Sequence, residues 1–249
     1  IAYSMALLGE KPKVLATAGI DFAEYRSWME QNGIDATYIR EIPGKYTASF
    51  FVNTDLENNQ IASFYTGAMA DAARFTLSEM PRDEVDYLVI SPNDPAAMRK
   101  LTDECVSMGI PYLFDPSQQV ARNPHDDLRI GVENAHAVFC NEYEFDLLIK
   151  HTGLSAAQIE GLVQLLVITR GEHGATVKAE GREYLIPVVP AARIADPTGV
   201  GDAFRGGFLR GYRLGLDLQT CGQMGALSAA YCLEQNGPSN HFYTKQEYI

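Results

Sequence analysis

The sequence predicts an α/β fold, a three-layer sandwich whose central, mostly parallel β-sheet carries helices on both faces and is accompanied by a small accessory β-sheet. Short apolar segments that end in polar turns alternate with segments of helical periodicity along most of the chain, as in parallel βαβ units. Two β-rich segments, 47–54 and 60–67, interrupt this alternation, and the DLENN stretch between them is typical of a hairpin loop. These two segments predict the accessory sheet.

The first elements of the chain are a strand and a helix. The apolar segment PKVLATAGID, 12–21, predicts a short buried strand that ends in a glycine turn. Large apolar residues recur at helical spacing between Phe22 and Met29, and Gly33 stands where a helix C-cap is expected. Asp21, between the two elements, either contacts a substrate or caps the helix.

The rest of the chain continues the alternation. A strand and a turn are predicted in 85–94, a helix in Met98–Met108, a strand and a loop in 109–119, a strand running into a helix in 135–153, and a strand, a turn and a β-hairpin in 165–189. From residue 195 onward the pattern is mostly helical, and the polar tail NHFYTKQEYI is expected to be peripheral.

Five polar turns follow the predicted strands. They are Gly19–Asp21, Asn93–Asp94, Asp115–Gln119, Asn141–Glu144 and Thr169–Gly174. Because ligands bind outside the carboxyl ends of strands in open parallel sheets, these turns are the candidate binding segments.

Composition restricts the class of protein. The 249 residues fit one globular domain spanning 1–249, and a hydrophobic content of 46% provides a core. A net charge of −12 without a basic cluster argues against a nucleic-acid partner, and no apolar run reaches the roughly 18–20 residues of a membrane span. The four cysteines lack metal-binding spacing, so we expect reduced thiols and a cytoplasmic protein. The opening IAYSMALLGE has a helical pattern and no initiating Met, so we expect preceding residues to be missing.

The stretch ADPTGVGDAFRGGFLRGYRLG, 195–215, combines a glycine turn, an acid and a helix. Gly199 and Gly201 allow close backbone approach to a ligand, and the amides of Thr198 to Asp202 can cradle an anion at the helix start. Asp202 could then accept a proton from an alcohol beside that anion, which is the chemistry of phosphoryl transfer. The alternative is that Asp202 is only an N-cap above a tight turn.

Three common nucleotide-binding signatures are absent from the sequence. No G-x-x-x-x-G-K-[ST] loop occurs, and a G-x-G-x-x-G turn would need glycine where the chain has Phe204. The H-R-D and D-F-G segments of protein kinases are also missing.

The segment DPTGVGDAF, 196–204, resembles the D-T-x-G-A-G-D motif of the ribokinase-like (PfkB) carbohydrate kinases. The resemblance implies that Asp202 is the catalytic base and that Gly199, Val200 and Gly201 form the anion hole. Pro197 and Val200 depart from the usual Thr and Ala of the motif.

Two further segments match this family in the same order along the chain. NEYE, 141–144, resembles its N-x-x-E motif and TRGEHG, 169–174, its T-x-G-x-x-G motif. The resemblance implies ATP and Mg²⁺ as cofactors. It places Asn141 and Glu144 in the magnesium and phosphate network, and its expected ATP-contacting residues are Thr169, Gly171, Gly174, Asn141, Thr198 and Asn236.

A narrower resemblance links QIASFYTGAM, NDPAAM and DPSQQVAR to the bacterial adenosine kinases. It implies that Phe50 and Phe64 stack on a purine and that Gln118, Gln119 and Arg122 contact the nucleoside. Aromatic faces suit flat bases, and amides pair with purine edges. For the two Phe residues, ordinary core packing in strands is the alternative.

The predicted function is ATP-dependent phosphorylation of the 5′-hydroxyl of a nucleoside, adenosine to AMP. A ribose- or fructose-type sugar kinase with the same mechanism is one alternative, and a non-catalytic nucleotide-binding protein is another. The expected partner is a small-molecule substrate, with neither nucleic acid nor membrane, and family analogy suggests a homodimer through the accessory sheet.

The remaining candidates have structural interpretations. We expect His136 to be packed and the other four histidines to be exposed. Gly206 and Gly207, inside a predicted helix, each cost about 1 kcal/mol relative to Ala and so indicate close packing of the backbone.

Overall fold

The computed structural model describes residues 1–54 and 60–248, without the side chains of 52–54, 60–62 and Glu247. The strands are β1 Ala16–Ala18, β2 Ile39–Glu41, β3 Ser49–Thr54, β4 Gln60–Tyr65, β5 Leu88–Ile90, β6 Tyr112–Phe114, β7 Ala137–Asn141, β8 Leu165–Thr169, β9 Ala175–Ala179 and β10 Arg182–Ile186. The helices are α1 Ala2–Leu7, α2 Ala23–Gln31, α3 Pro95–Met108, α4 His125–Glu133, α5 Glu142–Thr152, α6 Ala156–Leu162, α7 Val200–Arg213, α8 Leu218–Leu233 and α9 Lys245–Tyr248. Short 3-10 helices follow β4 and β6.

The central sheet has six strands in the order β10-β9-β8-β7-β6-β5. β5 to β8 are parallel, and β9 and β10 extend the sheet as an antiparallel hairpin. The predicted parallel sheet with a terminal hairpin is therefore confirmed. The carboxyl ends of β6, β7 and β8 lie side by side at one edge, which brings their polar turns together.

Helices cover both faces of this sheet, as the alternation of side chains in β7 shows. Val138 joins one apolar core with α3, α4, α5 and α6, whereas Phe139 joins the other with α7 and α8. Because successive residues of a strand point to opposite faces, a strand buried on both sides is apolar throughout. The three-layer arrangement is confirmed.

Two small sheets lie apart from the central one. β1 pairs with β2 in parallel, and β3 pairs with β4 antiparallel, as predicted for the accessory sheet. Phe50, Phe51 and Phe64 in this second pair are all more than a third exposed, so the accessory sheet presents aromatic side chains to solvent on both faces. Its predicted DLENN loop lies outside the described residues.

The carboxyl-terminal tail is buried against the domain, contrary to the expectation from the sequence. His241 and Tyr243 are about 1% exposed, and Tyr248 is also buried. The two tyrosine hydroxyls hydrogen-bond Ser228 of α8, and His241 Nε2 lies 3.2 Å from Ser4 Oγ of α1. The tail packs because its polar groups find partners on two helices, so the expectation of a peripheral tail was wrong.

The burial of two histidines and the packing of two helix glycines can also be compared with the predictions from the sequence. His241 is buried rather than exposed, and His136 is half-buried with Nε2 2.7 Å from Tyr212 Oη. A Cβ on Gly206 would lie 2.6 Å from Ser4 Cβ, and one on Gly207 would lie 2.5 Å from the Met224 carbonyl oxygen. The predicted close packing of these two glycines is confirmed, since α1 and α8 press against them.

The described residues show the state of the cysteines and whether any of the helices could span a membrane. All four cysteines are buried and unpaired with one another. Within 1–54 and 60–248, the helices are too short or too polar to cross a bilayer.

Candidate active site

A cavity of about 880 Å³ opens at the carboxyl edge of the central sheet. It is lined from the sheet side by Asn141 and Thr169, the last residues of β7 and β8. The first turn of α7 forms the opposite wall, with Asp202 facing the same space. The topology therefore brings Asn141 and Asp202, which lie 61 residues apart in the chain, to one cavity.

The glycine turn ends at the start of α7. Gly199 is the N-cap, with φ 80°, a left-handed conformation that favours glycine. A Cβ at this position would lie 2.4 Å from Pro238 Cβ, so the turn also has no room for a side chain. Asp202 is the third residue of the helix, and its side chain makes no cap hydrogen bond. The N-cap interpretation of Asp202 was therefore wrong, and its carboxylate is exposed to the cavity.

The amides of the turn divide into used and free groups. Thr198 N donates to Asp196 Oδ1 at 2.9 Å, and Val200 N donates to the Pro197 carbonyl at 3.3 Å. Within the described part of the chain, the amides of Gly199, Gly201 and Asp202 have no such partner. The anion cradle is thus narrower than the sequence predicted, because Thr198 is engaged and does not line the cavity.

Asp196 holds this turn in place, a role that the sequence analysis missed. Its Oδ1 accepts from Thr198 N and its Oδ2 accepts from Gly237 N, both at 2.9 Å. These hydrogen bonds hold the pKa of the Asp196 carboxyl below its ordinary value. One carboxylate therefore ties the glycine turn to the loop after α8, which contains Pro238.

Asn141 and Glu144 form a capping box at the start of α5. Asn141 Oδ1 accepts from Glu144 N, and Glu144 Oε2 accepts from Asn141 N, both at 2.8 Å. Glu144 Oε1 also accepts from Ser117 Oγ at 3.1 Å. The box fixes a carboxylate and an amide at the cavity wall, and Ser117 lies there with an unusual positive φ of 41°.

The carboxylate and amide oxygens at this wall suit a magnesium ion, but they are too few to enclose it. Carboxylate and amide oxygens are suitable hard ligands, but no cluster of three or more acidic, His or Cys side chains in the described residues could enclose a metal. Mg²⁺ commonly keeps several waters and binds one or two carboxylates plus substrate phosphates. The site residues fit that mode of binding.

The other end of the cavity is an apolar slot. It is lined by Ile186, Val188, Val189, Pro190, Ala191, Ile194, Ala226, Ala229, Ala230 and Leu233. Thr169, Gly171 and Gly174 of the T-x-G-x-x-G segment also line the cavity, and their contact with ATP stays a prediction. Asn236 lies beyond α8, exposed and outside the lining, and its carbonyl accepts from Asn240 Nδ2 at 2.7 Å.

Beneath the glycine turn lies a buried ion pair that no pattern in the sequence predicted. Arg205 Nη2 donates to Asp115 Oδ1 at 2.7 Å, and Arg205 Nε lies 2.6 Å from Oδ2 but outside hydrogen-bond geometry. Arg205 is 7% exposed and Asp115 1%. Burial raises the pKa of the Asp115 carboxyl to about 6, although the Arg205 guanidinium acts in the opposite direction.

The residues predicted to contact a nucleoside do not all lie at one wall. Gln118 lines the cavity, but Gln119 is buried and its Nε2 donates to the Asn93 carbonyl at 2.7 Å. Phe50 and Phe64 are direct cross-strand partners and therefore share one face of the accessory sheet. The Arg122 guanidinium lies 6.0 Å from the centre of the Phe64 ring.

Exposure excludes the core-packing interpretation of the aromatic pair. Phe50 is 57% exposed and Phe64 is 38% exposed, so neither is an ordinary core residue. Asp21 is not the cap of α2, and its predicted contact with a substrate stays a prediction. The N-cap of α2 is Phe22, and Asp21 Oδ1 accepts from Thr47 N at 2.9 Å and from Thr47 Oγ1 at 2.7 Å. Asp21 thereby fastens the start of the accessory sheet to the body of the domain.

A glycine turn with free amides and a carboxylate at a helix start, at the carboxyl edge of a parallel sheet, suits phosphoryl transfer. Comparison with known proteins identifies the family. The model of the pfkB family of carbohydrate kinases matches residues 1–245, so the chain belongs to that family.

Similar proteins include several nucleoside kinases. The structure of the nucleoside kinase of Burkholderia thailandensis in complex with inosine is 36% identical, covers 99% of this chain and 83% of that chain, and superposes with a TM-score of 0.94. The nucleoside kinase of Methanothermobacter thermautotrophicus is 30% identical over 92% of this chain and 75% of its own. The cytidine kinase of Thermococcus kodakarensis is 30% identical over 95% of this chain and 86% of its own.

These comparisons confirm the family and the ribokinase-like fold. They do not single out adenosine kinases, because these relatives are named nucleoside kinases or a cytidine kinase, and the Burkholderia structure holds inosine. Adenosine as the substrate therefore stays a prediction.

Proposed function

We propose that this protein is an ATP-dependent nucleoside kinase, with adenosine as the first substrate to test. The observation that carries the proposal is that Asp202, the free amides of the glycine turn, and the Asn141–Glu144 box line one cavity. The similarity to nucleoside kinases supports the substrate class.

The reaction follows from this arrangement. Asp202 takes the proton of the nucleoside 5′-hydroxyl, whose oxygen forms a bond to the γ-phosphorus of ATP. The bond between that phosphorus and the β,γ-bridging oxygen breaks, and ADP leaves with the bonding electrons. The amides of Gly199, Gly201 and Asp202, at the positive end of α7, stabilise the negative charge of the transferred group. The products are a nucleoside 5′-monophosphate, ADP and a proton.

Asn141 and Glu144 would hold a magnesium ion, chiefly through its water ligands, because both side chains are already engaged in the capping box. When bound, the ion neutralises charge on the β- and γ-phosphates. Thr169, Gly171 and Gly174 border the triphosphate, and the apolar slot takes the base of ATP.

Nucleoside recognition rests on the accessory sheet and the turn after β6. Phe50 and Phe64 offer an exposed aromatic face to the base. Gln118 lines the cavity, Arg122 lies beside the Phe64 ring, and Gln119 supports the turn from below. The exposed opposite face of the accessory sheet also supports a homodimer through these strands, with Phe51 as a contact.

The proposal is tested by measuring ADP release from ATP and MgCl₂ with a panel of acceptors. The panel contains adenosine, inosine, cytidine, ribose and fructose 6-phosphate, and 5′-deoxyadenosine is the matched control because it lacks only the attacked hydroxyl. We expect turnover with at least one nucleoside, a 5′-monophosphate product, and none with 5′-deoxyadenosine. Turnover confined to ribose or fructose 6-phosphate would replace this proposal with the sugar-kinase alternative.

A further inference from the structure

Charge is unevenly distributed in the candidate active site. The cavity wall carries three carboxylates, on Glu144, Glu172 and Asp202. Among the lining residues in the described part of the chain, Arg205 alone is basic. A site that accepts a nucleoside triphosphate must offset both the charge of its ligand and its own acids, so this guanidinium is its main fixed positive charge.

The position of Arg205 directs that charge toward the glycine turn. It lies one turn along α7 from Gly201, and a Cβ on Gly201 would lie 2.9 Å from Arg205 Nη1. Glycine at 201 therefore lets the guanidinium approach the backbone that forms the anion cradle. Asp115 Oδ1 accepts a hydrogen bond from Arg205 Nη2, and Asp115 Oδ2 lies 2.6 Å from Nε. Nη1 is left on the side of the glycine turn.

Asp115 keeps this charge fixed in position. It follows β6 directly, so its carboxylate belongs to the rigid sheet, and both partners are at least nine-tenths buried. Buried, oriented charges act more strongly than solvated ones and need no reorganisation during reaction. The pair thus connects the central sheet to the helix that carries Asp202.

We propose that Arg205 is a positioning residue of phosphoryl transfer, whose buried guanidinium, oriented by Asp115, supplies the positive charge beneath the Gly199–Asp202 cradle that holds the phosphates of ATP. This inference rests on the proposed function for its reaction, but its first consequence is nucleotide binding. It predicts that removing the charge weakens ATP and ADP far more than it weakens a nucleoside without phosphates.

Two variants that share one substitution test it. Asp115→Asn keeps the guanidinium, whereas Asp115→Asn with Arg205→Gln replaces the pair by two neutral amides that can still hydrogen-bond each other. Removing both charges together avoids leaving one buried ion alone, whereas Asp115→Asn leaves the guanidinium a hydrogen-bond acceptor but no opposite charge. We expect both variants to fold at the temperature of the titrations, with the double variant the more stable of the two. Circular dichroism and thermal unfolding verify this, and Arg205→Lys is the conservative variant.

Calorimetric titration with ATP in MgCl₂, and with adenosine alone, gives the first readout. We expect the double variant to bind ATP at least about tenfold more weakly than Asp115→Asn, with adenosine affinity within about twofold. We expect Arg205→Lys to recover part of the ATP affinity. Equal ATP affinity in the double variant and in Asp115→Asn overturns the inference, as does an equal loss of ATP and adenosine binding.

The kinetic readout separates this inference from the proposed function. If the wild-type chain phosphorylates a nucleoside, we expect the double variant to lose at least about tenfold in kcat relative to Asp115→Asn. If the wild type binds ATP but phosphorylates no acceptor, the proposed function fails and the titrations alone decide the role of Arg205. A wild type that binds neither ATP nor ADP contradicts both.

Discussion

Gly199 is under a strict conformational and steric requirement in the candidate site. It combines a left-handed backbone with a Pro238 side chain that occupies the place of a Cβ. Gly201 is restricted for another reason, because Arg205 Nη1 lies where its Cβ would point. The two motif glycines therefore serve different neighbours, one in the loop after α8 and one in α7 itself.

Replacement of Gly199 by Ala tests this requirement. We expect Gly199→Ala to lower the free energy of unfolding by roughly 1–3 kcal/mol, because of the backbone strain and the clash with Pro238, and to reduce kcat as the cradle amides move. Gly215→Ala is the matched control, since Gly215 has φ 71° but nothing within 4 Å of its missing Cβ. Chemical denaturation and ADP release measure both effects, and equal losses in the two variants would refute the steric argument.

Asp196 offers a second test at this scale. Asp196→Ala removes both hydrogen bonds that hold the glycine turn to Gly237. We expect kcat to fall by at least about tenfold with little change in the KM for the nucleoside, because the cradle and not the acceptor site is displaced. Steady-state kinetics check this split, and a variant whose KM for the nucleoside alone changes would contradict it.

Among the elements, the accessory sheet carries exposed aromatic side chains on both of its faces. The register pairs Phe50 with Phe64 and places Phe51 on the other face. The contact between Phe64 and Arg122 connects this sheet to the turn after β6. The hydrogen bonds between Asp21 and Thr47 connect the start of the accessory sheet to the body of the domain.

Truncation of Phe64 tests the base-stacking role. We expect Phe64→Ala to raise the KM for a nucleoside by roughly tenfold, since stacking of a base on an aromatic ring contributes about 1–3 kcal/mol. Phe242→Ala is the control, because Phe242 is an exposed phenylalanine, 69% accessible, in the tail beside α1. If both variants leave the KM unchanged, the base does not stack on Phe64.

Much of the element order could be predicted from the sequence, and the exceptions share a cause. Local patterns of apolar residues predict the strands β5 to β8 and the accessory hairpin. The strand β2 has three residues and exists through its pairing with β1, and α4 begins after Pro124 without a side-chain cap. Such elements are defined by tertiary contacts and not by local periodicity.

The candidate site shows the same division. Asp202, the motif glycines and the Asn141–Glu144 box could be located because their types and spacing are local. Arg205 lies in an ordinary helical pattern, and its partner Asp115 is 90 residues away, so the sequence alone does not reveal the pair. Gln119 follows a strand end as expected, but the fold turns it inward onto Asn93.

For the whole molecule, the feature that matters most is the docking of the tail. His241, buried between α1 and the aromatic residues of the tail, joins the two ends of the described chain. Burial lowers the pKa of His241 to about 4, from an ordinary value of 6.5. The folded state therefore holds this imidazole neutral where the unfolded chain would protonate it.

This difference predicts how stability depends on pH. As pH falls from about 6.5 to about 4, the unfolded state binds a proton that the folded state refuses, so His241 removes up to about 3 kcal/mol of stability. We expect the wild type to lose that much relative to His241→Gln across this window, measured as free energies of unfolding at each pH. Asp115, whose raised pKa acts with the opposite sign, is present in both proteins and cancels. A constant difference between the two proteins would show that His241 does not titrate in this way.

The most direct measurement of the central claim is the kcat of Asp202→Asn with ATP and the best nucleoside of the panel, beside Glu142→Gln. Glu142 is an exposed acid in the first turn of α5 that does not line the cavity, so it controls for the change from carboxylate to amide. The account predicts that Asp202→Asn loses roughly 10²–10⁴-fold in kcat while Glu142→Gln retains wild-type turnover. An Asp202→Asn variant that keeps more than about a tenth of the wild-type kcat would contradict it.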